Sequence, residues 1–179
     1  VRFTHAETIS GLFELEVDVA CANRELDLAA ALRKPAVLTI LGVHEDAASR
    51  WVHGIVHGAS QGRQDDRVGL YHIRVVPQVW PLLHRQDCRI FQDMTTRQIV
   101  EDVLKTASVP GSAIRFALAE SLPVRGYCVQ YRESDWDFIR RLLAEDGLFH
   151  YFEHSADEHI LVIGDGPPAH PAIAGESEV

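Results

Sequence analysis

The sequence predicts a mainly β protein with a second part in which helices and strands combine, and three observations support this fold class. Apolar and polar residues alternate in the first half at the period of two that is typical of a half-buried strand. The second half holds two segments with the apolar spacing and capping residues of amphipathic helices. The 179 residues, 46% hydrophobic and 24% charged, are also enough for two small globular domains.

The first half is predicted to form four or five strands with short polar connections and no helix, as in a sandwich or barrel. Ala36–Leu41 is nearly all apolar and rich in β-branched residues, which predicts a strand buried on both faces. The polar run Ser60–Asp66 predicts a hairpin loop. The predicted strands are Phe13–Val19, Ala36–Leu41, Trp51–His57 and Gly69–Val76.

The first predicted helix follows Thr95, because Thr95 and Gln98 have the spacing of a capping box. Its apolar residues fall on one stripe, which predicts that one face of the helix docks on a core. Pro110 and Gly111 close the segment. The residues of the stripe are Ile99, Val100, Val103 and Leu104.

The second predicted helix starts at Ser134, whose hydroxyl can cap a first turn that carries carboxylates where the helix dipole favours them. Asp137 and Arg141 have the i,i+4 spacing of an ion pair, and Gly147 is the residue expected just after the helix. The apolar stripe consists of Trp136, Ile139, Leu142 and Leu143. The segments predicted to follow as a hairpin are Leu148–Phe152 and His159–Ile163.

Composition argues against several classes of partner. The formal charge of −9 is spread along the chain, so the phosphates of a nucleic acid would be repelled. The apolar runs are far shorter than the roughly 20 residues of a membrane-spanning helix, so no stable membrane insertion is expected. Cys21, Cys88 and Cys128 lack metal-knuckle spacing and are expected to be reduced, mostly buried thiols of a protein made in the cytoplasm.

Five histidines, His53, His57, His150, His154 and His159, raise the hypothesis of a metal site. His150 and His154 share strand parity and could approach His159 across the predicted hairpin. The spacing of His53 and His57 completes no familiar ligand set. Surface or half-buried histidines are therefore the favoured interpretation, and we predict no metal ligand.

Carboxylates form two further candidates for chemistry. Glu133, Asp135 and Asp137 could act as paired acids in hydrolysis, but their position at a helix start explains them without catalysis. Asp165 lies between two glycines, which is typical of a turn as well as of a catalytic loop. Since no nucleophile with a base is recognisable, we predict no catalytic residue and no cofactor.

Several stretches resemble the VgrG family of type VI secretion spikes, which is similar to the hub and late-control proteins of contractile phage tails. The segment from Val129 to His154 follows the family pattern Gln-Tyr-x-Glu-Ser-Asp, then a Phe-Ile-x-Arg-Leu helix, then an aromatic strand. Arg89–Gln92, before the first helix, is a second signature. Shorter matches keep the same order, so the resemblance covers nearly the whole chain.

The resemblance implies a structural motif in the second half. A buried arginine beside a carboxylate is one hypothesis for how the loop between strand and helix is fixed. The alternative is that each of these residues is a solvated polar side chain. The motif residues implied are Arg89, Phe91, Gln92, Gln130, Tyr131, Arg132, Glu133, Ser134, Asp135, Phe138, Arg141, Leu142 and Gly147.

The resemblance also implies a phage-tail-hub-like barrel, or tube, domain that carries an inserted α/β domain. Residues 1–87 would be the first part of the tube domain, 88–165 the inserted domain with two helices, and 166–179 a linker or return strand. The chain would be a fragment of a longer subunit. Three such subunits would form a homotrimer in which barrel edges pair between subunits.

The implied function is that of a structural hub and not of an enzyme. The hub joins an inner tube of Hcp-like protein to a puncturing needle, contacts baseplate proteins and helps deliver effectors or adaptors. It would be made in the bacterial cytoplasm, assembled on the secretion apparatus and exported through it. The alternatives are a baseplate hub or late-control protein of a contractile phage tail or, from another class, a cell-wall hydrolase or metal-dependent enzyme.

Overall fold

The computed structural model describes residues 1–23, 25–42, 49–64 and 67–170. The chain divides into two compact units: the first is residues 1–80 with 152–159, and the second is residues 81–151 with 160–179. Within the described ranges no helix combines the length and apolar character needed to cross a bilayer. The domain limits at 87/88 and 165/166 stay a prediction, because compactness within one chain does not define the domains of an assembled subunit.

The first unit is built on a five-stranded sheet in the order β1-β2-β5-β4-β3, in which every neighbouring pair is antiparallel. β1 and β3 are therefore its two edges. The core side chains alternate along the central strands as predicted: Leu15 and Val17 of β2 pack with Val52 of β4 and Val75 of β5. The strands are β1 Arg2–Ala6, β2 Glu14–Cys21, β3 Pro35–Ile40, β4 Arg50–Gln64 and β5 Gly69–Val76.

The prediction that Ala36–Leu41 is buried on both faces is wrong. This segment forms the edge strand β3, its side chains alternate between exposed and partly buried, and Val37 is 45% exposed. An apolar run shows that side chains are hydrophobic, but it does not show what covers the second face. Pro35 begins the strand, as is typical at an edge.

Two further predictions for the first half need correction. Ser60–Gln64 belongs to β4 and not to a hairpin loop; Asp65 and Asp66 lie outside the described residues. Ser60–Gln64 continue the pairing of β4 with β5, and the side chains of residues 60–63 are exposed, so polarity did not distinguish loop from strand. The expectation of no helix is also wrong, since Leu28–Ala31 forms one helical turn, α1, capped by the side chain of Asp27.

Among its described residues, the second unit contains two α-helices, α2 Thr96–Thr106 and α3 Asp135–Glu145, and several short sheets. β6 pairs with β10 antiparallel, β7 with β9, and β11, β12 and β8 form a three-stranded sheet in which β12 and β8 are parallel. The tip of the β11–β12 hairpin, residues 152–159, belongs to the first unit. The strands are β6 Gln86–Phe91, β7 Met94–Thr95, β8 Ile114–Ala117, β9 Val124–Arg125, β10 Cys128–Ser134, β11 Phe149–His154 and β12 His159–Gly164.

Both helices begin and end as their capping residues predict. Thr95 and Gln98 form the complete capping box at the start of α2. The side chain of Ser134 accepts from the backbone N–H of Asp137 at the start of α3, and Gly147, with φ of 70°, follows the last turn. The predicted stripes are buried, and Phe138 adds to the second. The residues concerned are Ile99, Val100, Val103, Leu104, Trp136, Ile139, Leu142 and Leu143.

The cysteines and the tail differ from expectation in part. Cys128 is buried, but Cys21 is partly buried and Cys88 is exposed, so the thiols are not mostly buried. All three are free. The segment predicted as a linker or return strand begins with a 3₁₀ turn at Pro167–Ala169, and residues 171–179 lie outside the described part of the chain.

Candidate functional site

The motif residues Arg89, Gln130 and Asp135 meet in the second unit. Arg89 on β6 and Gln130 on β10 are register partners, and Arg89 Nε donates to Gln130 Oε1 at 2.9 Å. Gln130 Nε2 and Arg89 Nη2 both donate to Asp135 Oδ1, the former at 2.9 Å. Gln130 and Asp135 are fully buried. The network thus ties the ribbon of β6 and β10 to the first residue of α3.

A second arginine completes the surroundings of Asp135. Arg85 Nε lies 3.3 Å from Asp135 Oδ2, an ion-pair distance without hydrogen-bond geometry. The backbone N–H of Asp135 donates to the carbonyl oxygen of Arg85 at 2.7 Å. A buried carboxylate requires such compensation, because removing its water without opposite charge is costly. The hypothesis of a buried arginine–carboxylate pair therefore matches the geometry, while the solvated alternative does not.

Arg141 forms a second set of contacts on α3. Its guanidinium donates to both carboxylate oxygens of Glu133, at 2.7 and 3.3 Å, to Glu145 at 3.1 Å and to the carbonyl of Val129 at 2.9 Å. Hydrogen bonding to Glu133 raises the pKa of Arg141 above its ordinary value. The predicted Asp137–Arg141 pair is wrong, because the forked contact with Glu133 occupies the guanidinium. Asp137 instead accepts from the Ser134 hydroxyl at 2.7 Å.

The remaining motif residues divide by exposure. Phe91 and Phe138 stack with ring centroids 5.7 Å apart, and Leu142 is fully buried. Tyr131 is 64% exposed, and Arg132 lies over its ring with φ of 54°. Arg132 is the extra residue of a β-bulge in β10, which shifts the register between Tyr131 and Glu133. Gln92 and Gly147 are also exposed.

Sequence reasoning missed a further arginine of the second unit. Arg125 donates to Glu145 at 2.6 Å, to Asp146 at 2.7 Å and to the Thr96 hydroxyl at 2.9 Å. It therefore connects the end of α3 to the first residue of α2. Burial tends to raise the pKa of Glu145, but the hydrogen bonds from Arg125 and Arg141 outweigh burial and lower it. The isolated arginine in the sequence gave no signal of this role.

Asp165, the residue between two glycines, has a structural environment. Its Oδ1 accepts from the backbone N–H of Ala119 at 2.8 Å, and Oδ2 lies 3.3 Å from the N–H of Glu120. These contacts fix the segment after β8. The turn interpretation of Asp165 therefore agrees with the structure.

The five candidate histidines lie in three different environments. His53, His154 and His159 cluster in the first unit around Phe13, whereas His57 packs on Trp80 at 5.5 Å. His150 is buried in the second unit, edge-on to Trp136. The hypothesis that His150 joins His154 and His159 is thus not supported. Sequence reasoning missed His5 and Glu7, which lie beside His154.

Hydrogen bonds define the tautomers of His159 and His53. His159 Nε2 accepts from the backbone N–H of Gln78 at 2.9 Å, so a neutral His159 carries its proton on Nδ1. That proton points to His53 Nδ1 at 3.0 Å, which places the proton of a neutral His53 on Nε2. Burial lowers the pKa of His159 to about 4 and also lowers the pKa of His53. Both rings are therefore neutral near pH 7.

The model of the phage tail baseplate hub (GPD) family matches residues 6–179. The chain belongs to this family. The type VI secretion system spike protein VgrG4b of Pseudomonas aeruginosa is 38% identical to this hub-family chain over 173 residues, covering 97% of the chain and 21% of that protein. VgrG3 of Vibrio cholerae is 33% identical over 162 residues, covering 90% of the chain and 16% of that protein. The chain thus spans about a fifth of the length of such relatives.

A solved Escherichia coli structure has the same fold as this hub-family chain, with a TM-score of 0.82 and 25% identity. The match covers 91% of this chain and 45% of that one. That protein is described as a component of the type VI secretion system with structural similarity to the T4 bacteriophage tail proteins gp27 and gp5. The resemblance to VgrG proteins and the hub-like, mainly β fold class are confirmed.

Proposed function

We propose that the chain is the hub part of a type VI secretion spike, joining an inner tube of Hcp-like protein to a puncturing needle. The observation that carries this proposal is the agreement between nearly full-length similarity to spike proteins and the fold shared with a secretion-system component. The proposed role is mechanical, so the chain is not an enzyme. It contacts baseplate proteins and carries effectors or adaptors as part of a longer subunit.

The edges of the first sheet support assembly into a homotrimer. β1 and β3 each have one unpaired side within the described residues, and both expose apolar side chains: Phe3 is 43% exposed and Val37 45%. Leu41, just after β3, is 75% exposed. Exposed apolar edges favour pairing with another chain. We propose that neighbouring copies cover these edges and so close a ring of three.

The buried motif of the second unit would serve the same mechanical role. The Arg89–Gln130–Asp135 network connects two strands and a helix through one carboxylate. Satisfied buried polar networks specify a single arrangement of the elements they join. We infer that the thirteen motif residues are a structural motif, which keeps this unit rigid while force passes through the spike.

An assembly site follows from this role. The subunit would be made in the bacterial cytoplasm, assembled on the secretion apparatus and exported through it.

The second candidate function is the hub or late-control protein of a contractile phage tail, which the family match to phage tail baseplate hubs favours. Neighbouring genes for a secretion sheath and membrane complex would support the first proposal, and capsid genes the second.

Secretion of the inner-tube protein tests the proposal in the host bacterium. Deleting the gene should abolish release of that protein into the medium, and the wild-type gene should restore it. Val37→Lys in β3 should fail to restore release, because a charge would be placed at a subunit edge. Val124→Lys, a change at a position 64% exposed outside the first sheet, is the matched control and should restore release. Undiminished release after deletion would refute the proposal.

A further inference from the structure

Three potential metal ligands converge in the first unit: His5 on β1, Glu7 just after it, and His154 at the end of β11. One ligand atom from each lies within 4.8 Å of the others. Glu7 Oε2 is 3.6 Å from Nε2 of His5 and 3.6 Å from Nε2 of His154. The two rings and the carboxylate therefore face a common point.

Both facing ring nitrogens lack a hydrogen-bond partner. Nε2 of His5 and Nε2 of His154 are buried, and neither makes a hydrogen bond within the described part of the chain. The side chain of His154 is 9% exposed and that of His5 12%. Buried polar atoms normally have partners, so two unpartnered nitrogens aimed at one carboxylate require an explanation. A bound cation would satisfy all three groups.

The opposite side of the His154 ring is held by the backbone. The backbone N–H of His53 on β4 donates to Nδ1 of His154 at 3.1 Å, and the carbonyl oxygen of His53 also lies 3.1 Å from that nitrogen. Metal binding at Nε2 would select the tautomer with the proton on Nδ1, which donates to the carbonyl, so that the lone pair on Nε2 faces Glu7. Histidine ligands of metals are commonly oriented by this kind of contact. The ring is thus fixed in an orientation suited to coordination.

We propose that His5, Glu7 and His154 bind a divalent transition metal ion of the zinc type. Two imidazoles and a carboxylate are a donor set that zinc accepts, with water in a fourth position. Tetrahedral bonds of about 2.0–2.2 Å place ligand atoms about 3.4 Å apart, close to the 3.6 Å that separates Glu7 Oε2 from each ring nitrogen, and all three atoms lie within 4.8 Å of one another. The proposal replaces the expectation that the chain binds no metal.

The neighbouring histidines are excluded as ligands by their existing contacts. His159 Nε2 accepts from Gln78, and its Nδ1 is shared with His53 Nδ1. Binding a metal at either ring would break this chain of hydrogen bonds. His5 and His154 each have a free Nε2 and need no such rearrangement.

A metal at this site would connect the first strand of the chain to a hairpin far along the sequence. His5 and His154 belong to the same compact unit although most of the chain separates them. A link that closes so long a loop restricts the unfolded chain and stabilises the folded one. This inference does not depend on the proposed function, because it concerns stability and binding in the isolated chain.

Calorimetric titration with Zn²⁺ of chelator-treated chain tests the proposal. One ion should bind per chain, and the thermal midpoint should rise by about 5 to 10 °C at a zinc concentration on the order of 100 times the dissociation constant. Co²⁺ should give the visible absorption of a tetrahedral site, a signal that needs no variant. No heat of binding and an unchanged midpoint would overturn the proposal.

Two variants locate the ion. Glu7→Gln removes a ligand charge from a side chain that is 22% exposed, so the fold should persist while zinc affinity falls at least 100-fold. His72→Gln is the matched control, because His72 pairs with Asp18 on the sheet and lies outside the cluster. Its affinity should stay within threefold of wild type. Unchanged affinity in Glu7→Gln, with circular dichroism showing a folded chain, would also overturn the proposal.

Discussion

Asp135 in the second unit and His159 in the first are both almost inaccessible to solvent, yet they are accommodated differently. Asp135 is paired with two arginines and an amide. His159 is surrounded by Phe13, Phe152 and other histidines, and its lowered pKa keeps it neutral. Asp135 is therefore buried as a charge together with its partners, whereas His159 is buried without a charge. The two strategies predict different sensitivities to mutation and to pH.

The largest expected effect is from Asp135→Asn. The change leaves Arg89, whose side chain is 16% exposed, with only the half-exposed carboxylate of Asp87 as a counter-charge, and should lower the free energy of unfolding by about 3 to 5 kcal/mol. Urea denaturation at pH 7 measures this loss. Asp137→Asn, at an exposed position two residues along the same helix, is the control and should cost less than about 1 kcal/mol. Equal losses of unfolding free energy in the two variants would show that the buried network stabilises the fold no more than an exposed carboxylate does.

Acidification should affect the histidine cluster next. The folded pKa of His159 is about 4 and its ordinary value is 6.5, so the unfolded state binds more protons between these pH values. The burial of neutral His159 therefore costs no stability above pH 6.5. As the pH falls from 6.5 toward 4, the free energy of unfolding should decrease by about 2 to 3 kcal/mol. Urea denaturation across this range, in chelator, measures it. A flat profile from pH 7 to 5 would contradict the neutral-histidine account.

Gly54→Ala should have an intermediate effect by disturbing packing beside the histidines. A Cβ at this position would lie 2.6 Å from the carbonyl oxygen of Val76 and 2.7 Å from Val75 Cγ1. Backbone must move to admit it, so we expect a loss of about 1 to 2 kcal/mol in thermal or urea unfolding. Gly58→Ala, where the nearest atoms are 3.8 Å away, is the control on the same strand. A neutral Gly54→Ala would indicate a loosely packed cluster.

The smallest expected effect is from Thr95→Ala at the start of α2. The change removes the side chain that accepts from the N–H of Gln98, and helix caps of this kind contribute about 1 kcal/mol. Ser112→Ala, at an exposed position in a 3₁₀ turn, should be neutral. Chemical denaturation of both variants compares them. A loss above that of Gly54→Ala would reverse the predicted order.

Local signals in the sequence were sufficient for the helices and for the central strands. Thr95, Ser134 and Gly147 act through neighbours a few residues away, so their capping roles are readable from spacing alone. Leu15 and Val17 show the period of a strand with one packed face. The resemblance to VgrG proteins was also readable, because the residues that carry it lie in short stretches.

Contacts between distant segments were not predictable from the sequence. His5 and Glu7 meet His154 because the fold brings an early strand to a late hairpin, and Arg125 reaches Asp146 for the same reason. The exposure of Val37 depends on its position at a sheet edge, which the composition of β3 does not encode. The order of the strands and the identity of the edge strands are therefore visible only in the structure.

The oligomeric mass tests the central claim, that this chain is the hub of a trimeric spike, most directly. Light scattering with size-exclusion chromatography would compare the chain by itself with the same chain joined to the remainder of a spike subunit. We expect three copies in the longer form, with the exposed edges of β1 and β3 covered. A stable monomer in both forms would contradict it.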